Sequence, residues 1–66
     1  MNRTRIGQKL RILRGNTPIQ TVADACRVTA NAISNYEAGA RVPNDEIKQA
    51  LAKYYGLTVQ EIFYDD

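Results

Sequence analysis

Sixty-six residues, 44% hydrophobic and 24% charged, are enough for one small domain with a modest core. The single cysteine, Cys26, excludes an internal disulfide, and the lack of histidine argues against a zinc site. The net charge of +2 hides an asymmetry: residues 1–43 carry seven basic and two acidic side chains, whereas residues 44–66 carry two basic and five acidic. One end of such a domain suits a polyanion and the other avoids it.

The N-terminus, MNRTRIGQKL, lacks an apolar signal core. No run approaches the roughly 20 apolar residues of a membrane span. The expectation is a soluble, cytoplasmic protein of one domain over residues 1–66, with no metal and no cofactor.

The apolar spacing predicts five short helices. No segment alternates apolar and polar between turn signals, so the chain reads as all-α. A first helix over residues 4–14 has Ile6, Leu10 and Leu13 as its buried stripe, with Gly15 and Asn16 as its stop. A second starts at Thr17 or Pro18. Proline at a first helical position loses no hydrogen bond, and Thr17 with Gln20 fits a capping box. Ile19, Val22, Ala23 and Cys26 form its apolar face, and the small Ala23 suits a close helix crossing. Cys26 reads as a core side chain, because no sequence neighbour would depress its pKa.

The turn Arg27-Val28-Thr29 follows, with Val28 plugging the corner and Thr29 as the next N-cap. The third helix, over residues 30–38, has Ile33 and Tyr36 or Glu37 inward and Ala30, Asn31, Ser34 and Asn35 outward, and Gly39 ends it. Asn44 caps the fourth, with Asp45 and Glu46 at the positive end of its dipole and Ile47, Ala50, Leu51 and Tyr54 as its stripe. Gly56 stops it. Thr58 and Glu61 form another capping box ahead of Val59, Ile62 and Phe63 in a fifth helix.

The stretch from Thr17 to Pro43 carries the function. Two apolar-periodic segments meet at a tight turn, and the second shows small polar side chains on one side. That is the arrangement of a helix-turn-helix whose second helix enters a DNA major groove. Ordinary exposed helices favour long charged residues, and asparagine is a poor helix former. The chain has no serine nucleophile elbow, Gly-rich phosphate loop or metal cluster, so it reads as a non-enzyme.

Ile33-Ser34-Asn35-Tyr36-Glu37-Ala38-Gly39, with Arg41 and Pro43, resembles the I-S-x-(W/Y)-E-x-G-x-x-x-P stretch of the Cro/CI-type (XRE) helix-turn-helix regulators. The resemblance extends to Ile6-Gly7, Leu10 and Leu13-Arg14 upstream, and to Tyr54-Tyr55-Gly56-Leu57-Thr58-Val59 and Ile62-Phe63 downstream. It implies a compact five-helix, lambda-repressor-like domain that binds double-stranded operator DNA, usually as a homodimer. It further implies a transcription regulator, with repression of phage, plasmid or integrative-element genes as the expected role.

Base contacts would come from Ala30, Asn31, Ser34 and Asn35. A carboxamide pairs bidentately with adenine, discriminating by roughly 1–3 kcal/mol. Phosphate contacts would come from Gln20, Thr29, Tyr36, Arg41 and Asn44. Arg14 and Glu37 match a partly buried structural salt bridge between the first and third helices. Three features depart from the pattern. Arg27 stands where the family usually has Gly, and Ile19 where many members have a DNA-contacting Gln. The connection from Gly15 to Pro18 is about two residues short.

Leu57, Val59 and Tyr64 are the candidate dimer interface, while Ile62 and Phe63 read as core. No small-molecule ligand is expected. Alternative uses of the same scaffold are an antitoxin and a protein-interaction module. The interaction module predicts an apolar exposed face on the third helix.

Overall fold

The computed structural model describes residues 2–64. Among them are four α-helices and a closing π-helical turn: α1 (Arg3–Arg14), α2 (Ile19–Cys26), α3 (Ala30–Glu37), α4 (Asp45–Tyr55) and α5 (Gln60–Tyr64). This is the all-α, five-helix architecture that the sequence predicts. The bundle measures 27 × 22 × 21 Å. None of these helices is long and apolar enough to cross a membrane.

Most helix starts follow from one side chain each. Asn2 Oδ1 accepts from the Thr4 and Arg5 amides at 3.0 and 3.2 Å, so α1 begins one residue earlier than its spacing suggested. Thr29 Oγ1 accepts from the Ala32 amide at 3.0 Å and opens α3. Asn44 Oδ1 accepts from the Ile47 amide at 2.9 Å and opens α4. Thr58 and Glu61 exchange reciprocal bonds at 2.9 and 3.1 Å before α5. The bond donated by the Thr58 amide, with the Thr58 side chain beside it, holds the Glu61 carboxyl below the usual carboxylate range.

Helix α2 departs from the reading. The capping box of Thr17 and Gln20 does not form. Pro18 holds the N-cap place with φ −59° and ψ 142°, and no side chain caps the helix. The cause lies upstream. The Thr17 amide donates to the Arg14 carbonyl at 3.0 Å, and Arg14 Nη1 donates to the Thr17 carbonyl at 2.8 Å. Thr17 therefore belongs to the end of α1, and Gln20 Nε2 donates to Asp24 Oδ1 at 2.8 Å instead.

Helices α2 and α4 end on the same backbone device with different residues. Gly56 adopts φ 71°, with the Leu57 amide bonded to the Ala52 carbonyl at 2.9 Å. Arg27 adopts φ 59° and ψ 43°, with the Val28 amide bonded to the Ala23 carbonyl at 2.9 Å. This is a Schellman-type stop, which favours glycine. Arg27 is the one non-glycine residue with positive φ among those described, at a cost of about 1 kcal/mol or more.

Val22, Ala23 and Cys26 of α2 form the middle of the core with Ile6, Leu10, Ile33, Leu51, Ile62 and Phe63 around them. Burial pushes the Cys26 thiol up, which keeps it a protonated core side chain. The stripe of α4 is rotated from the predicted one. Tyr54 is 39% exposed, while Ala52 and the unforeseen Lys48 are buried. The rotation follows from what closes over α4. Lys48 Nζ donates to the Tyr64 hydroxyl at 2.8 Å and lies 4.9 and 5.8 Å from the Tyr64 and Phe63 ring centres. Lys9 Nζ donates to the Glu61 carbonyl at 2.8 Å and ties α1 to α5.

Gly7 decides how α1 meets α3. A Cβ placed there would lie 2.7 Å from the Tyr36 carbonyl oxygen and 2.9 Å from the Glu37 carbonyl carbon. Both are backbone atoms that cannot swing aside. Gly7→Ala therefore forces the two helices apart, and overpacking of this kind costs about 1–3 kcal/mol or more. The expected result is a melting temperature lower by about 4–8 °C for each kcal/mol, read by far-ultraviolet circular dichroism. An unchanged midpoint would contradict the packing described.

Candidate nucleic-acid interface

Helix α3 is amphipathic with its inward face fixed by Ile33 and Tyr36, 2% and 3% exposed. Asn31 and Ser34 are exposed, and Asn35 is half-buried beside them. The spacing i, i+3, i+4 places these three on one strip of the helix. The strip carries no charge. Its carboxamides and hydroxyl can each donate and accept, which is what reading base edges requires. Ala30 is half-buried and packs against the core, so its methyl stands at the edge of the strip and not at its centre.

Donors surround the strip. Thr29 is exposed at the head of α3, and its oxygen is used by the Ala32 amide, leaving its hydroxyl proton to donate outward. Asn44 is exposed, and its Oδ1 is likewise used by the Ile47 amide, leaving the NH2 group without a described partner. Arg41 is exposed in the α3–α4 connection, whose Ala40 and Arg41 amides both bond to the Asn35 carbonyl at 3.0 and 3.3 Å. Gln20 is exposed but already engaged with the Asp24 carboxylate. Tyr36 lies inward, as its spacing predicts, and its buried ring is part of the core, which leaves little of it to face a phosphate.

Two basic residues escaped the sequence reading. Arg3 and Arg5 are exposed in the first turn of α1, which contains no acidic residue. Cations at a helix N-terminus oppose the dipole by about 0.3–1 kcal/mol each, and that misplacement was the available signal. The α1 N-terminus packs against the end of α3. A Cβ at Gly39 would meet the Thr4 Cα at 3.2 Å and the Arg3 carbonyl at 3.4 Å. Arg3 thus stands near the connection that carries Arg41. Lys9, Arg11, Arg14 and Lys48 are used by the fold, as with Arg11 Nη1 on the Gly15 carbonyl at 3.0 Å. Among the described residues no cluster of three metal-ligating side chains forms.

One ion pair beneath the strip sets its orientation. Arg14 Nε and Nη2 donate to the two carboxylate oxygens of Glu37 at 2.7 and 3.1 Å. The side chains are 12% and 9% exposed. This fork geometry is the strong form of the interaction. It raises the Arg14 pKa further, while burial and the Glu37 charge push the nearby Tyr55 phenol up to about 12. Leu57 and Val59 are half-buried against the core, and Tyr64 is 45% exposed.

The fold is shared with proteins of known structure. A family model described as a helix-turn-helix domain matches residues 5–62. The DNA-binding domain of the P22 C2 repressor superposes with a TM-score of 0.86 at 25% identity, over 100% of this chain and 90% of that one. The DNA-binding domain of BldD gives 0.75 at 29% identity, over 92% of each chain. The restriction-modification controller protein C.AhdI from Aeromonas hydrophila shares the fold, with a TM-score of 0.82 at 24% identity over 91% of this chain and 94% of that one. A search among curated proteins finds no match.

The joint beneath the strip has two measurable consequences. Removing one partner of a buried pair costs about 3–5 kcal/mol. Glu37→Ala should therefore melt far below the parent, whereas Asn35→Ala should stay close to it, and equal melting temperatures would contradict the assignment. Tyr55 gives a pH signature. A phenol whose folded pKa is raised contributes fully below its unfolded value of about 10 and loses that contribution as the pH climbs toward about 12. Thermal melts across that window should fall less steeply for Tyr55→Phe than for the parent.

Proposed function

We propose that this chain, which belongs to the helix-turn-helix domain family and is a DNA-binding transcription regulator of Cro/CI type, acts as a repressor whose α3 reads the major groove of an operator. The observation that carries the reading is the uncharged strip of exposed Asn31 and Ser34 with half-buried Asn35, near the exposed Arg41. Asn31 and Asn35 read adenine edges, Ser34 reads a base edge or a phosphate, and Ala30 offers a methyl at the rim of the contact. Thr29, Asn44 and Arg41 hold the phosphates that position α3, with Gln20 in a lesser part because Asp24 already holds it. Arg3 and Arg5 add charge on the side of the α3–α4 connection.

The protein works in the cytoplasm as a homodimer. Two recognition helices must lie about 34 Å apart to read a two-fold operator. Exposed Tyr64, with half-buried Leu57 and Val59, supplies apolar surface for that contact, and Tyr54 is a further exposed apolar group. The whole chain acts as one domain, and occupancy alone blocks transcription. The polar exposed face of α3 favours DNA over a protein partner, and we assign the chain no catalytic step.

Selection from a random duplex library followed by footprinting tests the reading. It should return a two-fold site with half-sites one helical turn apart. Asn31→Ala and Asn35→Ala should relax the preference at particular base pairs by roughly 1–3 kcal/mol, while Arg41→Ala should weaken binding to all sequences alike. Identical behaviour of the three variants would overturn the division into readers and anchors.

A further inference from the structure

We propose that Arg27, in the turn between α2 and α3, is a phosphate-gripping residue kept there against the preference of its own backbone. The proposal rests on the reading of α3 as the recognition helix, and adds a contact from the turn that precedes it.

The argument begins with a conflict. Arg27 sits at φ 59° at a helix stop that glycine occupies without strain. Strain of this kind persists where the surroundings over-determine it, and it gathers at functional positions. The surroundings here are plain. Val28 packs against the core on one side of Arg27, and its amide closes α2 on the Ala23 carbonyl. Thr29 then caps α3. The turn is fixed by its neighbours, so the backbone of Arg27 has no room to relax.

The side chain gives the fold nothing in return. Arg27 is exposed, and among the described residues its guanidinium has no hydrogen bond and no ion pair. Arg11, Arg14 and Lys48 are all engaged within the fold. A charged side chain that strains the backbone and stabilises nothing in the free protein points to a partner outside it.

Position says which partner. Arg27 precedes the α3 cap by two residues, and Arg41 follows the end of α3 by four, so free guanidinium groups flank the helix along the chain on both sides. Arg27 and Asn44 also line one open groove of about 410 Å³ between the end of α2 and the start of α4. Asn44 brings an uncommitted NH2 to that groove, and the guanidinium brings a planar fork matched to phosphate oxygens. Glu46 lines the groove as well, is exposed, and makes no ion pair with Arg27. It opposes an anion, which is why a doubly donating Arg27–Asn44 pair is needed there.

The test separates strain from charge. Arg27→Gly removes both, Arg27→Asn removes the charge at a residue that tolerates this backbone, and Arg27→Lys keeps both. Binding is measured from 50 to 200 mM salt on a duplex recovered by the selection above and on a random-sequence duplex of equal length. Melting is measured on the same samples. The Gly and Asn variants should melt higher, by about 4–8 °C for glycine, yet bind both duplexes more weakly. Their salt slope should shrink by about 0.9 per protomer, which is about 3.5-fold less change in affinity over that salt range. Arg27→Lys should keep the parent's slope. Unchanged slopes in the Gly and Asn variants, or melting below the parent, would overturn the proposal while leaving the role of α3 intact. A parent protein that ignores both duplexes at 50 mM salt would overturn the recognition reading and this proposal with it.

Discussion

The close approach of α1 to α3 is the constraint on which the rest of this molecule depends. It has two parts, and both converge on the last turn of α3. At Gly7 the missing side chain lets the two backbones come together. About two turns further along α1, the Arg14 fork grips the Glu37 carboxylate. Sterics set the distance and the ion pair sets the rotation. Neither could do both, because a buried charge pair alone is weak evidence of stability and a bare glycine contact has no preferred angle. Together they leave α3 one face for the core and one for solvent.

The outward face is then defined by what the fold does not use. Ile33 and Tyr36 are taken by the core, and Glu37 by Arg14. What remains is short, polar and neutral. The same economy applies to the caps. Thr29 and Asn44 each use an oxygen to start a helix, which leaves a donor pointing away from it. A residue that organises its own helix is held rigidly, and a rigid donor loses little freedom when it meets an anion.

Much of this was legible in the residues. The Thr29, Asn44 and Thr58 caps depend on side chains three positions from the amides they serve, and such short-range bonds can be read from spacing. The misreadings share the opposite character. The Thr17 cap failed because Arg14 reached across the connection and captured its carbonyl. The α4 stripe was turned because Lys48 lies under Tyr64, sixteen residues away. Gly7 appeared in the family pattern without a reason, and only the α3 carbonyls opposite it supply one. The strip on α3 was readable because its evidence is an absence of lysine and glutamate, which composition records directly.

The contact between Lys9 and the Glu61 carbonyl has a topological consequence. It seats the first helix against the last turn, so the two extremities of the described chain lie on neighbouring elements. A peptide linker could then join them and a new opening be cut in an exposed connection such as residues 15–16, giving a circular permutant in which every helix keeps its neighbours. The order of the helices along the chain would change, and the groove-reading surface would not.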